Sequence, residues 1–309
     1  MERKDAIDAF GAASLTAFSA LLAWNQVLIA QLNEGVQPVF FAGARSVAAA
    51  LVIAALMRLR RRPIRFARRH LLPGIAIGTV FAAEFVCLFL ALDLTTVVRT
   101  SIIFYTMPVW MALLAPLVLP GERLTPVKGL GLALAFGGVA WVIAARGSAG
   151  GAEGSLLGDL LALGGAVFWA GIALLIRGTS LREVPPDMQI LWQLAFSAPI
   201  LLGVSLLLGP WVRAFEPWMW ANAAILVAIS SVGFLFWLWL LAIYPASGVA
   251  SFAFLAPVFG VVLGWWILGD PVTAPILVAA ALVVAGLVLV NRPAPPPVAA
   301  PRARPGAGG

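Results

Sequence analysis

Long apolar stretches, each about 20 residues, recur along the whole chain between short polar or Pro/Gly-containing segments. This spacing predicts helices that cross a bilayer, since a segment in lipid must satisfy its backbone hydrogen bonds internally. A barrel would show short segments of alternating polarity instead. The stretch from Leu277 to Val290 is apolar on every face, so the pattern is helical. The predicted spans are Phe10–Leu32, Pro38–Met57, Leu71–Leu92, Thr96–Leu119, Val127–Ala145, Leu156–Ile176, Ile190–Leu208, Met219–Leu241, Ser247–Leu268 and Val272–Val290. The expected fold is an all-α polytopic membrane protein with ten transmembrane helices.

Composition agrees with the pattern. The 309 residues are 62% hydrophobic and only 11% charged, where a soluble domain carries about 25% charged residues. The net charge of +7 raises a nucleic-acid reading. It is rejected, because seven arginines sit in one loop, Arg58–His70, beside apolar spans, where they act as topology determinants. With the N-terminus inside, the inner segments hold 16 Lys and Arg residues and the outer segments hold two, Arg146 and Arg213. Both termini are therefore expected in the cytoplasm. A single cysteine, Cys87, excludes an intramolecular disulfide, and one histidine, His70, argues against a histidine metal site. No cofactor is expected. The run after MERKDAID is long for a signal-peptide core and is read as the retained first helix.

The two halves of the chain resemble each other. Aligning Pro108 with Pro257 superimposes a small-residue lead-in, a proline within the membrane, and a closing Gly121-Glu122 or Gly269-Asp270. Five spans per half make the copies enter the membrane from opposite sides, as inverted-topology repeats do in many secondary transporters. The expected division is residues 1–145 and 156–292 for the repeats, a linker at 146–155, and a disordered Pro/Ala/Gly-rich tail at 293–309.

Trp24-Asn25, Arg45, Ala91-Leu92, Pro108, Gly121-Glu122-Arg123 and Gly137-Gly138 fall in order along the first half. Trp169-Ala170, Tyr244-Pro245-Ala246-Ser247, Pro257 and Gly269-Asp270 do so in the second. In this order the chain resembles the drug/metabolite transporter superfamily, in its ten-helix branch with two EamA-type repeats. Asn25 directly after Trp24, Asp270 in place of glutamate, and the lack of an acidic counterpart to Glu84 depart from the family pattern. The resemblance implies a bacterial inner-membrane carrier, monomeric or a weak homodimer. Such carriers often export a small organic metabolite such as an amino acid by alternating access. No GxxxxGK[ST] loop for ATP is present.

Glu84 is the sharpest candidate, an ionisable group well inside the third span, where it must be hydrated, neutral or paired. It could carry a proton, contact a substrate amine, or form a fixed ion pair with Arg45 or Arg99. Arg45 lies about 10 Å along its helix from the outer end, as a substrate or Glu84 partner or as a snorkelling residue. Arg99 lies nearer the outer end, where snorkelling is the competing reading. Asn25, Gln26 and Gln193 can hold a solute or bond between helices. Tyr105 sits beside the break made by Pro108, and Pro108 and Pro257 are candidates for gating or for static curvature. A channel lacks its ring of repeated polar residues here. An enzyme lacks a catalytic constellation, and a pure interaction protein leaves Glu84 without a task.

Overall fold

The computed structural model describes residues 7–120, 122–145, 154–244, 249, 252 and 254–291. The helices are α1 (Ala9–Asn33), α2 (Pro38–Leu59), α3 (Leu71–Leu94), α4 (Val97–Phe104), α5 (Met107–Val118) and α6 (Pro126–Ala144) in the first half. The second half has α7 (Leu156–Gly178), α8 (Pro186–Ser205), α9 (Met219–Ala228), α10 (Phe234–Ile243), α11 (Leu255–Leu263) and α12 (Ala274–Val290). Among the described residues eight helical spans are at least 18 residues long and apolar enough to cross a membrane. Two apolar segments, Leu255–Leu268 and Ala274–Val290, are shorter. The protein has an all-α, polytopic membrane fold. The expected start of the ninth span, Ser247, lies outside the described residues, as do Pro245, Ala246, most of the 146–155 linker and the 293–309 tail.

Local chemistry sets the helix ends. Asp8 caps α1 by accepting from the Gly11 N–H, Thr96 caps α4, and Thr125 caps α6 ahead of Pro126. The fourth and seventh spans depart in detail from the hydropathy reading. The fourth span is not one helix: it breaks at Tyr105–Thr106, and Pro108 stands in the first turn of α5. Pro257 likewise stands in the first turn of α11. A proline lacks the N–H that an interior position needs, so both begin a helix rather than bend one. The seventh span runs from Pro186 to Ser205, displaced from the hydropathy reading. Pro186 is tolerated in the first turn, while Leu206 and Leu207 are exposed beyond the helix end.

The eighth span carries a π-helical turn, Ile229–Gly233, between α9 and α10. Ser230 and Ser231 donate to the carbonyls of Leu226 and Val227 at 2.8 and 2.7 Å, competing with the helix ladder where it widens.

The two halves interleave. α3 packs on α7 and α8, α2 on α8, α1 and α4 on α11, and α6 on α12. Gly131 and Gly286 bring α6 and α12 into backbone contact: a Cβ on Gly131 would lie 2.8 Å from the Gly286 carbonyl oxygen. One end of the bundle carries the arginine-rich loop, which is tied to the second half by Arg62–Asp187 (2.9 Å) and Arg69–Glu183 (3.4 Å). His70 is buried there, its Nε2 accepting from Arg69 and its Nδ1 2.8 Å from the Ser180 hydroxyl.

Candidate functional site

Near the middle of the bundle α3 turns Phe81, Glu84, Phe85 and Leu88 to one side, the three- and four-residue spacing of a single helix face. They line a cavity of about 80 Å³ together with Arg45 from α2 and Asn25 and Gln26 from α1. The α4–α5 junction adds Tyr105, α8 adds Gln193, and the π turn adds Ser230. A larger cavity of about 420 Å³ shares Leu22, Tyr105, Trp169, Ile172 and Phe234 with it. This second space is walled by apolar and aromatic groups and extends to Arg177 and Gln189, at the end that carries the arginine-rich loop. Together they form a chamber with a polar inner wall and an apolar approach.

Glu84 and Arg45 are both buried, 5% and 3% exposed. Among the described residues neither closes into a direct ion pair, although both line the same cavity. Glu84 Oε2 and Arg45 Nε have no hydrogen-bond partner. The Arg45 guanidinium instead lies over the rings of Phe85 and Phe89, 4.6 and 4.8 Å from their centroids. The aromatic faces stabilise the cation and fix its position without occupying its N–H groups. Two opposite charges in low dielectric, each with an idle polar atom, can take up a ligand or proton in one state and release it in another.

Asn25 is half-buried on the wall, and Gln193 also lines it while donating to the Gln189 carbonyl at 3.3 Å. Tyr105 packs edge-on against Phe104 and Trp169. Pro108 reaches the larger chamber, whereas Pro257 is buried in α11 and is not among the wall residues. Trp24 faces outward, 37% exposed.

Arg99 is placed elsewhere. It neither snorkels nor meets Glu84: its guanidinium is buried and grips Asp159 through Nε (3.0 Å) and Nη2 (2.5 Å), with Nη2 also donating to the Val142 carbonyl. This pair lies at the end of the bundle opposite the arginine-rich loop. The same end is tied by a two-pronged Arg213–Asp93 contact at 2.6 and 3.0 Å, and Arg213 also donates to the Asn33 carbonyl. An antiparallel bridge between Val36 and Val212 lays the α8–α9 connection over the α1–α2 turn. Asp270 accepts from the Val98 N–H at 2.9 Å, holding the start of α4. Ionic and backbone contacts thus tie together the end of the bundle opposite the one toward which the larger cavity extends. Among the described residues no three His, Cys, Asp or Glu side chains converge as metal ligands would.

The sequence matches the EamA-like transporter family twice, over residues 9–144 and 156–292. The chain belongs to that family. Proteins similar to it include the Uncharacterized transporter YvbV of Bacillus subtilis (strain 168), 31% identical over 268 residues that cover 82% of each chain. The Uncharacterized protein PA1977 of Pseudomonas aeruginosa is 30% identical, covering 84% of this chain and 86% of that one. A solved crystal structure with 24% identity covers 90% of this chain and 96% of its own, with a TM-score of 0.61, a likeness in fold. The family is one of transporters, and the long apolar helices make this chain a multi-pass membrane protein.

The contact between Gln26 and Ser101 has no local signal in the sequence. Gln26 carries one polar side chain among many in the first span, and its partner Ser101 is 75 residues away. The serines of the π turn left a visible mark, the run Ser230-Ser231-Val232-Gly233 inside an apolar span.

Proposed function

We propose that this EamA-like protein is a secondary transporter that exports a small organic metabolite, such as an amino acid, by alternating access with proton coupling. The observation that carries the reading is the pair Glu84–Arg45, each with an idle polar atom, on the inner wall of a chamber formed by both halves of the chain. A structural ion pair would have closed; a binding site keeps groups in reserve. The chamber reaches the end that bears the arginine-rich loop, so with that loop in the cytoplasm it is an inward-facing arrangement. Export then loads solute from the cytoplasm, and Arg213–Asp93 parts to release it outside.

The topology in this proposal is ten spans as two inverted five-span repeats, with both termini cytoplasmic. Support comes from the helix directions: α1 ends beside Asp93 and Arg213, while α7 ends beside the arginine-rich loop, so the first helix of each half runs the opposite way. A reporter fused after Val290 is expected in the cytoplasm, and one inserted between Gly150 and Gly154 in the periplasm. Both on one side would overturn the inverted arrangement, because an odd number of crossings must separate them. The function itself is tested by solute flux in proteoliposomes without nucleotide.

A further inference from the structure

We infer that Ser101 is a positioning residue that fixes the Gln26 carboxamide so that its NH2 group, with Arg45, receives an oxyanion of the ligand. The inference rests on the transport reading above and assigns a chemical class to one end of the solute. Gln26 is 1% exposed and lines the chamber beside Arg45 and Glu84. Its Oε1 accepts from the Ser101 hydroxyl at 2.5 Å, and its Nε2 has no partner among the described residues. An amide whose oxygen is committed to a hydroxyl presents only N–H donors on its other side.

Buried polar atoms without partners are few in native proteins, and a group of them at one place calls for an explanation. Six such side-chain atoms occur among the described residues, and three of them, Gln26 Nε2, Arg45 Nε and Glu84 Oε2, belong to the wall of this one cavity. Two are donors, one of them on a cation, which is the complement of a carboxylate or a similar oxyanion. The third, Glu84 Oε2, answers a donor elsewhere on the same ligand. Ser101 is itself held from behind. Gly260 of α11 faces it so closely that a Cβ there would collide with the Ser101 hydroxyl. The chain of contact therefore runs from α11 of the second half through Ser101 of α4 to Gln26 of α1.

The test uses purified full-length protein in lipid nanodiscs and liposomes, with matched probes: leucine against isopentylamine, and phenylalanine against phenethylamine. Each pair differs by the carboxylate alone. Wild-type protein is expected to bind at least one acid roughly tenfold more tightly than its amine, the worth of one charge-assisted hydrogen bond. Ser101→Ala is expected to lose that preference, raising KM for the acid while kcat and amine binding stay as they were. Ser101→Thr, which keeps the hydroxyl, is expected to retain it. Gln26→Ala should lose the same carboxylate preference, and the double variant should lose no more of that preference. Full carboxylate preference in folded Ser101→Ala overturns the positioning role alone. Should that variant not fold, full preference in Gln26→Ala overturns it instead. Wild-type protein that binds acids and amines equally overturns the oxyanion subsite but leaves the carrier. Wild-type protein that binds no probe overturns the oxyanion subsite too, and flux of other solutes then decides separately whether the carrier reading stands.

Discussion

Replacing Glu84 with glutamine is expected to leave the protein inserted and folded while transport driven by a pH gradient is largely lost. Glutamine keeps the size and most of the hydrogen-bonding capacity of the side chain and removes its proton. A carboxylate at this depth costs about 2.5–3.5 kcal/mol on insertion scales unless it is compensated. Compensation that changes between states therefore shifts their balance by roughly 100-fold. With the amide that term is constant, so the two orientations of the carrier no longer respond to pH. Solute exchange without a gradient survives if Glu84 serves coupling alone, and disappears together with binding if it holds the solute. The check is uptake by proteoliposomes with and without an imposed pH gradient, alongside equilibrium binding. Wild-type rates and pH dependence in Glu84→Gln would make the carboxylate structural.

The second large effect is on stability. Arg99→Met leaves Asp159, fully buried in the first turn of α7, without the guanidinium that neutralises it. Removing one partner of a buried pair costs about 3–5 kcal/mol, because the remaining charge loses the guanidinium that faces it in low dielectric. The variant is expected to melt well below the wild type in detergent and to accumulate poorly. Adding Asp159→Asn should recover much of the loss, since the buried carboxylate charge is then removed as well. Thermal unfolding followed by tryptophan fluorescence reads both. Equal melting of wild type and Arg99→Met would mean that the pair does not hold α4 to α7. Glu84, by contrast, has no closed partner to lose, so Glu84→Gln and Arg99→Met separate a functional charge from a structural one.

These two charges also show what the sequence could and could not convey. Glu84 was legible because hydropathy alone places it deep in an apolar span, and a charge there is costly enough to stand out. Arg99 and Asp159 were not, because each lies near a span end, where a charge ordinarily meets water or headgroups. Their meeting depends on α4 and α7 packing side by side, a contact across 60 positions of chain. The helices themselves were readable for the same reason as Glu84: lipid leaves little freedom in where an apolar run begins and ends. The exceptions are instructive. Leu206 and Leu207 read as the end of a span, yet α8 stops at Ser205 and the two leucines lie exposed outside the helix, since hydropathy does not register helix phase or caps. The prolines marked where the fourth span breaks, but the side of the break on which Pro108 sits follows from its missing N–H, which suits a helix start. The sequence does not set Gln26 apart from Asn25 and Gln193, because its distinction is an idle donor, and idleness is visible only once every neighbour has a position.

The central claim is that this EamA-like protein carries a small organic solute across the membrane with no nucleotide. The most direct measurement is flux in proteoliposomes of purified protein, screened against a metabolite panel that includes amino acids, with a pH gradient and without ATP. The account predicts saturable movement of at least one organic solute that depends on the protein, responds to the gradient, and loses that response in Glu84→Gln. Folded protein that moves no member of a broad panel under either gradient direction would contradict it.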